Sequence, residues 1–413
     1  MCSSSRRPNP SGWLGGPVAP DGKVSFIAEN AGYQPPLRVL LVTPRYFPQI
    51  GGTETHVAEV SRRLVRADVT VTVLTTNPDG TLAPEELEPD GPRIVRVRAW
   101  PTDKDYFFAP DIYDVIMRGQ WDVIHAQGVH TLVAPMAMYA AWRAGIPYVV
   151  TFHTGGDASL VRKLLRGAQW QALRPLLAHA VRLIGPSTWE TTYFQRQLAL
   201  PADRFLVIPN GAHHLPTHDH AAKANTTIDA PAADSPLIVS VGRLERYKGH
   251  HRVIGALPHV RKVFPGARVR VVGVGQYEGA LRRLTEQLGI VDCVEIGGVP
   301  PGDNDGMTAI IRRASLVALL SEHEAHGLAA LEALALGRPT LVANTTALQE
   351  LARNGWARAT PLGASDAAIA AAIIAQLRHP LIPTDVTLPT WDACAADLLA
   401  LYRSIARRSQ CAF

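Results

Sequence analysis

The stretch ASLVALLSEHEAHGLAALEALALGRPTLVA, Ala314 to Ala343, decides how the rest of the chain is read. Leu316 to Leu320 is an unbroken apolar run of strand length, as expected for a parallel strand covered on both faces. Gly327 opens a helical stretch, Leu328 to Leu336, and a second short apolar run, Thr340 to Ala343, follows it. Strand, helix and strand in that order form a βαβ unit, because parallel neighbours need a crossover between them. Glu322, His323, Glu324 and His326 fall between the first strand and the helix, and Glu332 sits about one turn inside it. Polar side chains are thereby concentrated at the carboxyl end of a strand, where open α/β sheets bind ligands.

The same rhythm extends outward. The strands Pro236 to Gly242 and Ala267 to Gly273, with helices from about His250 and over Tyr277 to Leu288, lead through the strand Cys293 to Ile296 into this unit. An earlier series begins with RVLLVTP, Arg38 to Pro44, a loop at Gly51 and Gly52, a helix over Glu54 to Val65 and the strand Val69 to Leu74. Val123-Ile124, Tyr148 to Phe152, Arg182 to Gly185 and Phe205 to Ile208 continue it as short strands. Residues 212–235 carry no periodic pattern and read as a linker. The fold class is therefore α/β, with two Rossmann-like doubly wound parallel-sheet lobes facing a shared cleft. The expected divisions are a disordered extension over 1–36, a first lobe over 37–211, the linker, a second lobe over 236–385, and a C-terminal segment over 386–413. The amphipathic helix Trp391 to Arg403 in that last segment is expected to cross back to the first lobe.

Composition sets the bounds. The chain has 413 residues, 47% hydrophobic and 19% charged, which suits a globular protein with real cores. No apolar run reaches the ~18 residues of a membrane-spanning helix. A net charge of +5, spread rather than blocked, gives no reason to expect nucleic acid as a partner. Cys2, Cys293, Cys394 and Cys411 are far apart, which argues against a zinc site or disulfide framework and fits a reducing cytoplasm. The first residues lack the architecture of a secretory signal. Abundant Ala, Arg and Pro point to a bacterial gene of high GC content.

Several residues at strand ends carry chemistry. Gly51 and Gly52 precede a helix, where backbone amides can approach an anion, although a turn needing positive φ explains them equally well. They form no GxGxxG, which disfavours a nicotinamide dinucleotide. Gly242-Arg243 and Lys248 follow the first strand of the second lobe; Arg offers a fork and Lys a point charge for a diphosphate, and a solvated surface pair is the bland alternative. Glu324, before the Gly327 helix start, and Glu332, inside it, have bland explanations as a dipole-favoured charge and a solvated face. Taken with the two cations, they read better as one ligand site. His153, after the strand YVVTF, is placed to bond a sugar or to serve structurally; His125 has the weaker claim.

Together, TPRYFPQIGGTETHV, DVIHAQ, the FHT containing His153, PNG, VGRLERYKG, VVGVG and EHEAHGLAALEALALGRP resemble glycosyltransferase family 4, from about Leu37 to Tyr402. The last stretch is similar to that family's Glu-x7-Glu motif. The resemblance implies the two-lobed GT-B architecture and retaining transfer from a nucleotide sugar, a UDP-sugar by first expectation, with no metal or other cofactor. It implies that Arg243 and Lys248 bind the donor diphosphate, Glu324 the transferred sugar and Glu332 the ribose. The amides around Gly327 and Leu328, beside His326, would hold the distal phosphate. Gly51 and Gly52 would close over the donor, His153 would contact the sugar near the reacting carbon, and Gly242, Gly273 and Gly275 would line the donor pocket. Three positions depart from the pattern: Ala212-His213 after PNG, His326 in place of an aromatic residue, and Thr345-Thr346 where many members carry Gly-Gly.

The implied acceptor is a small-molecule or lipid-linked hydroxyl, chosen by first-lobe loops such as Asn77 to Pro92 and Asp103 to Pro110. Sugar-nucleotide 2-epimerases and pseudo-glycosyltransferases share the architecture and are the competing readings. Leu160 to Ile184 mixes arginines with Leu and Trp170; it reads either as a peripheral membrane contact or as a lobe helix with snorkelling arginines.

Overall fold

The computed structural model describes residues 36–49, 51–102, 107–153, 160–212, 235–300, 303–384 and 386–410. The N-terminal extension and nearly all of the expected linker lie outside the described residues, as does part of the loop Asp103 to Pro110.

The first sheet is built on β1 (Arg38–Val42), β2 (Thr70–Thr76), β3 (Glu85–Leu87), β4 (Arg93–Val97), β5 (Val123–Gln127), β6 (Tyr148–Thr151), β7 (Arg182–Gly185) and β8 (Phe205–Val207). Its order is β3-β4-β2-β1-β5-β6-β7-β8, and every neighbouring pair is parallel except β3 with β4. The second sheet contains β9 (Leu237–Val241), β10 (Arg268–Val272), β11 (Val294–Gly297), β12 (Leu316–Leu319), β13 (Thr340–Ala343) and β14 (Arg358–Thr360), all parallel, in the order β11-β10-β9-β12-β13-β14.

The continuous apolar runs follow from burial on both faces. Ile238, Leu316, Ala318 and Leu341 enter one core of the second lobe, while Val239, Val317, Leu319 and Val342 enter the other. Alternate residues point to opposite faces of a strand, so both periods must be apolar when helices cover both sides.

The helices are α1 (Gly52–Arg66), α2 (Asp111–Arg118), α3 (Val133–Ala144), α4 (Leu160–His179), α5 (Thr188–Leu198), α6 (His250–Arg261), α7 (Glu278–Gln287), α8 (Asn304–Arg312), α9 (Leu328–Ala335), α10 (Leu348–Arg353), α11 (Asp366–Arg378) and α12 (Trp391–Gln410). One expectation needs correction. Asn77 to Pro92 is not a plain loop, because Glu85–Leu87 pairs with β4. Trp170 and Leu177 of α4 belong to the first-lobe core and are 1% exposed, so those side chains are unavailable to a membrane. Among the described residues no helix is long and apolar enough to cross one.

The C-terminal helix packs on the first lobe, as expected. Trp391, Cys394, Leu398, Tyr402 and Ile405 recur at helical spacing and are buried. Tyr402 shares a hydrogen bond with His125 Nδ1, whose Nε2 bonds Thr151 Oγ1 at 2.7 Å. Arg63 of α1 pairs with Asp392. His125 is thus a satisfied core histidine. Ala212 and Thr390 form a β-bridge, so the two chain crossings run side by side.

Candidate active site

In the second sheet the chain steps from β9 through β10 to β11, then returns to the other side of β9 with β12. The carboxyl ends of β9 and β12 are therefore neighbours at a topological switch point, the place where such sheets bind ligands. Gly242 and Arg243 leave one of these strands and Ser321 to His326 leave the other. Residues 76 positions apart are joined there: Lys248 Nζ donates to both Glu324 oxygens, at 2.8 and 2.9 Å. The Ser321 hydroxyl donates to Glu324 Oε1 at 2.8 Å. Burial works to raise the Glu324 carboxyl, but the Lys248 charge and the hydrogen bonds from Lys248 and Ser321 outweigh it and hold the group below its ordinary value.

Arg243 donates to the Tyr247 hydroxyl at 3.0 Å. Burial opposes its charge, yet Tyr247, Glu54, Glu245 and Glu324 together hold its pKa above the ordinary value. His250, fully buried, bonds Ser240 Oγ through Nδ1 and approaches the Arg243 carbonyl through Nε2 at 3.2 Å. Burial pushes it down to about 4, so it is a neutral prop beneath the Arg243 backbone at physiological pH.

The first lobe supplies the opposite wall. Glu54 folds back against Gly51, and its carboxylate would have to swing aside for a side chain there. Its carboxyl is raised by burial, against the pull of Arg243 and Arg45. Gly52 lies beside Leu328: a Cβ on Gly52 would stand 3.7 Å from Leu328 Cδ1. The N-termini of α1 and α9, one from each lobe, therefore meet. Gly327 begins α9 at φ 76°, a left-handed conformation that glycine adopts freely. Two helix starts without a side-chain cap, with Arg45, Arg243 and Lys248 around them, make the cleft suited to an anion.

His153 stands at the end of β6 at φ 45°, with Nε2 bonded to Gln127 Oε1 at 2.9 Å. Its ring meets that of His56 edge-on at 4.7 Å. Burial, reinforced by neighbouring histidines, holds His153 well below its ordinary value. His56 and His326 are each pushed down to about 4, chiefly by burial. The lobes thus meet through neutral imidazoles. They also meet at Glu350, whose carboxylate accepts from the Trp189 amide at the start of α5.

Gly273 packs against the Gly242 carbonyl, and Gly275 against the Leu244 backbone, with no space for a Cβ. Close packing of the loops after β9 and β10 accounts for these glycines without a ligand. Glu332, expected on a solvated face if it had no role, is instead half-buried, and burial raises its carboxyl to about 7. Between about pH 4.5 and 7 the native state then binds more protons than the unfolded chain, so stability falls as pH rises through that window. Glu332→Gln should remove this loss. Its stability relative to the parent should rise by ~1–3 kcal/mol from pH 5 to pH 8. Denaturation at both pH values checks this, and an unchanged difference would contradict an enclosed carboxyl.

Arg243, Lys248, Glu324, His326, Gly327 and Leu328 are brought together with Gly51, Gly52 and His153 around one cleft. Arg45, Glu54, His56 and His250 were not expected there; of these only Glu54 left a trace in the sequence, as a carboxylate in the first turn of a helix after Gly-Gly. Thr346 and Glu350 lie in the segment marked by the departure at Thr345-Thr346, which gave neither of them a role.

Two Rossmann-like lobes that close helix N-termini and cations over a shared cleft define a GT-B type of transferase. Residues 50–214 match the sequence model of Glycosyltransferase Family 4, and residues 225–384 that of Glycosyl transferases group 1. The chain belongs to glycosyltransferase family 4 and is a glycosyltransferase of GT-B type. It is 27% identical to a D-inositol 3-phosphate glycosyltransferase of Acidothermus cellulolyticus, with 95% of each chain covered. It is 26% identical to a phosphatidyl-myo-inositol mannosyltransferase of Mycobacterium leprae, over 90% of this chain and 97% of that one. Sucrose-phosphate synthase from Thermosynechococcus elongatus has the same fold, with a TM-score of 0.67 at 20% identity over 91% of this chain and 97% of that one. An Anabaena HepE structure in complex with UDP-glucose gives 0.63 at 18% over 90% and 98%.

Proposed function

We propose that the chain moves a hexosyl or N-acetylhexosaminyl group from a nucleoside diphosphate sugar, a UDP-sugar by preference, to a hydroxyl of a small or lipid-linked acceptor. Transfer proceeds with retention and without metal. The observation that carries this reading is the Lys248–Glu324 pair beside Arg243, set between two facing helix N-termini. Curated relatives named for inositol phosphate and phosphatidylinositol acceptors, and a fold neighbour solved with UDP-glucose, agree with it.

In this reading Arg243 and Lys248 hold the diphosphate, and the amides of Gly327 and Leu328 take its distal phosphate. An ammonium has three N–H donors, so Lys248 can reach a phosphate while keeping Glu324. Glu324 accepts from a hydroxyl of the transferred sugar and Glu332 from the ribose. The loops that Gly242, Gly273 and Gly275 allow to pack together line the nucleoside pocket. Gly51 and Gly52 close from above, and neutral His153 stands near the reacting carbon.

Breaking the bond between sugar and diphosphate leaves an oxocarbenium-like centre and a dianionic leaving group. Cations and amides already in place stabilise that charge without reorganisation. The acceptor oxygen attacks the same face, and a leaving-phosphate oxygen takes its proton. Closure of the lobes excludes water, the competing acceptor.

The test is incubation with radiolabelled UDP-, GDP- and dTDP-sugars, with and without acceptor and EDTA. Slow nucleotide release to water, accelerated by acceptor and unchanged by EDTA, is expected. A new sugar nucleotide formed without acceptor would make the protein an epimerase, and loss of turnover in EDTA would overturn the metal-free mechanism.

A further inference from the structure

The segment after β13 is bonded onto the Glu324 loop from end to end. Thr345 Oγ1 donates to the Ser321 carbonyl at 2.8 Å, and Ser321 in turn donates to the Glu324 carboxylate. The Glu324 amide donates to Thr346 Oγ1 at 2.9 Å, and the Ala347 amide donates to the Glu324 carbonyl at 3.3 Å. Both backbone polar groups of Glu324 are thus gripped by residues 22 and 23 positions downstream. Thr346 achieves this at φ 41°, in the left-handed region. That conformation is an outlier for a β-branched residue and carries no steric penalty for glycine. What threonine adds over glycine is the hydroxyl, and here that hydroxyl is spent on Glu324. Strained backbone of this kind persists where the surroundings over-determine it, often beside a functional group.

We propose that Thr346 is a positioning residue for Glu324: its hydroxyl holds the Glu324 amide and so sets where the carboxylate stands against the donor sugar. This rests on the reading of Glu324 as the sugar-binding carboxylate. Because Thr346 takes the Glu324 amide, the carboxylate is the group Glu324 offers to a ligand. The sugar must therefore present an O–H or N–H donor at that point, which selects against sugars that are deoxy there. Thr346 itself touches no reacting atom.

The experiment compares Thr346→Ala, Thr346→Gly and Thr346→Ser in the full chain. Each is read by release of UDP from UDP-glucose, and of the corresponding nucleoside diphosphate from the other nucleotide sugars named above, with water as acceptor. UDP affinity by calorimetry and Tm are measured alongside. Misplacement of a reacting group costs up to about 100-fold, so Ala and Gly should lower kcat by roughly 10- to 100-fold with UDP affinity unchanged. Ser should restore most of the turnover. The glycine variant, freed of left-handed strain, should keep or raise Tm, so its loss of turnover cannot be assigned to unfolding.

Wild-type kcat in the Ala or Gly variant, or a Ser variant as slow as Ala, would overturn the inference. Glu324→Gln separates the two claims. If that change leaves turnover intact, or if the parent releases nucleotide from no sugar, the site reading falls and the role of Thr346 with it. If Glu324→Gln abolishes turnover while the Thr346 variants stay fast, only the positioning role is lost.

Discussion

Glu324→Gln is expected to lower turnover by about 10²- to 10³-fold while the chain stays folded. The substitution keeps a carbonyl oxygen for the Ser321 hydroxyl but removes the charge that faces Lys248 at 2.8 and 2.9 Å. Removing one partner of an enclosed ion pair leaves the other charge uncompensated, and this costs more than the pair itself contributes. Lys248 and Glu324 are 17% and 13% exposed, so the ammonium of the variant can relax toward the cleft rather than unfold the lobe. Lys248→Ala makes the reciprocal statement. Glu324 then loses the main influence holding its carboxyl down, so the acid limb of the pH–rate profile should move to higher pH. Steady-state rates across pH check both changes. Turnover surviving Glu324→Gln would remove Glu324 from the reaction.

Gly249→Ala is expected to be the most destabilising of the single methyl additions around the site. Gly249 ends the short turn Arg246–Lys248 at φ 76°, and a Cβ there would overlap the Leu320 carbonyl at the end of β12. Neither partner is a flexible side chain that can swing away, because both clashing groups are backbone in the packed interior. Alanine at positive φ and an overpacked contact together should cost about 2–4 kcal/mol, or roughly 5 °C in Tm. The clash also pushes Lys248 away from Ser321 and Glu324, so activity should fall in the protein that remains folded. Thermal denaturation and specific activity of the same preparation test this, and a parent-like Tm would show that β12 yields at that point.

Much of the fold could be read directly. Leu40, Val42, Ile238 and Leu316 lie in runs whose every position is apolar, and a strand covered on both faces needs such runs. The elements that escaped reading have weaker local signals. β4 is interrupted by arginine, and Arg96 is buried because it pairs with Glu86 of a strand only three residues long. α11 is rich in alanine, without the sharp polar face that marks a surface helix, because it packs against α6 in one of the two cores.

Within the site, Arg243, Lys248, Glu324 and the Gly327 helix start were legible because each stands at the end of a recognisable strand, where parallel sheets present their ligand-binding groups. Residue types and local spacing therefore sufficed to place a cation pair and two carboxylates at the carboxyl end of the second sheet. Which of these groups touch was decided by the tertiary structure, because β12 returns beside β9 and brings Glu324 onto Lys248 across 76 residues. The tertiary structure also turned Glu54 toward Arg243, enclosed the four histidines until they are neutral, and set Thr346 on the Glu324 amide. Burial and charge proximity act through space rather than along the chain, and no local pattern in Thr345-Thr346 records the partner that its hydroxyls meet.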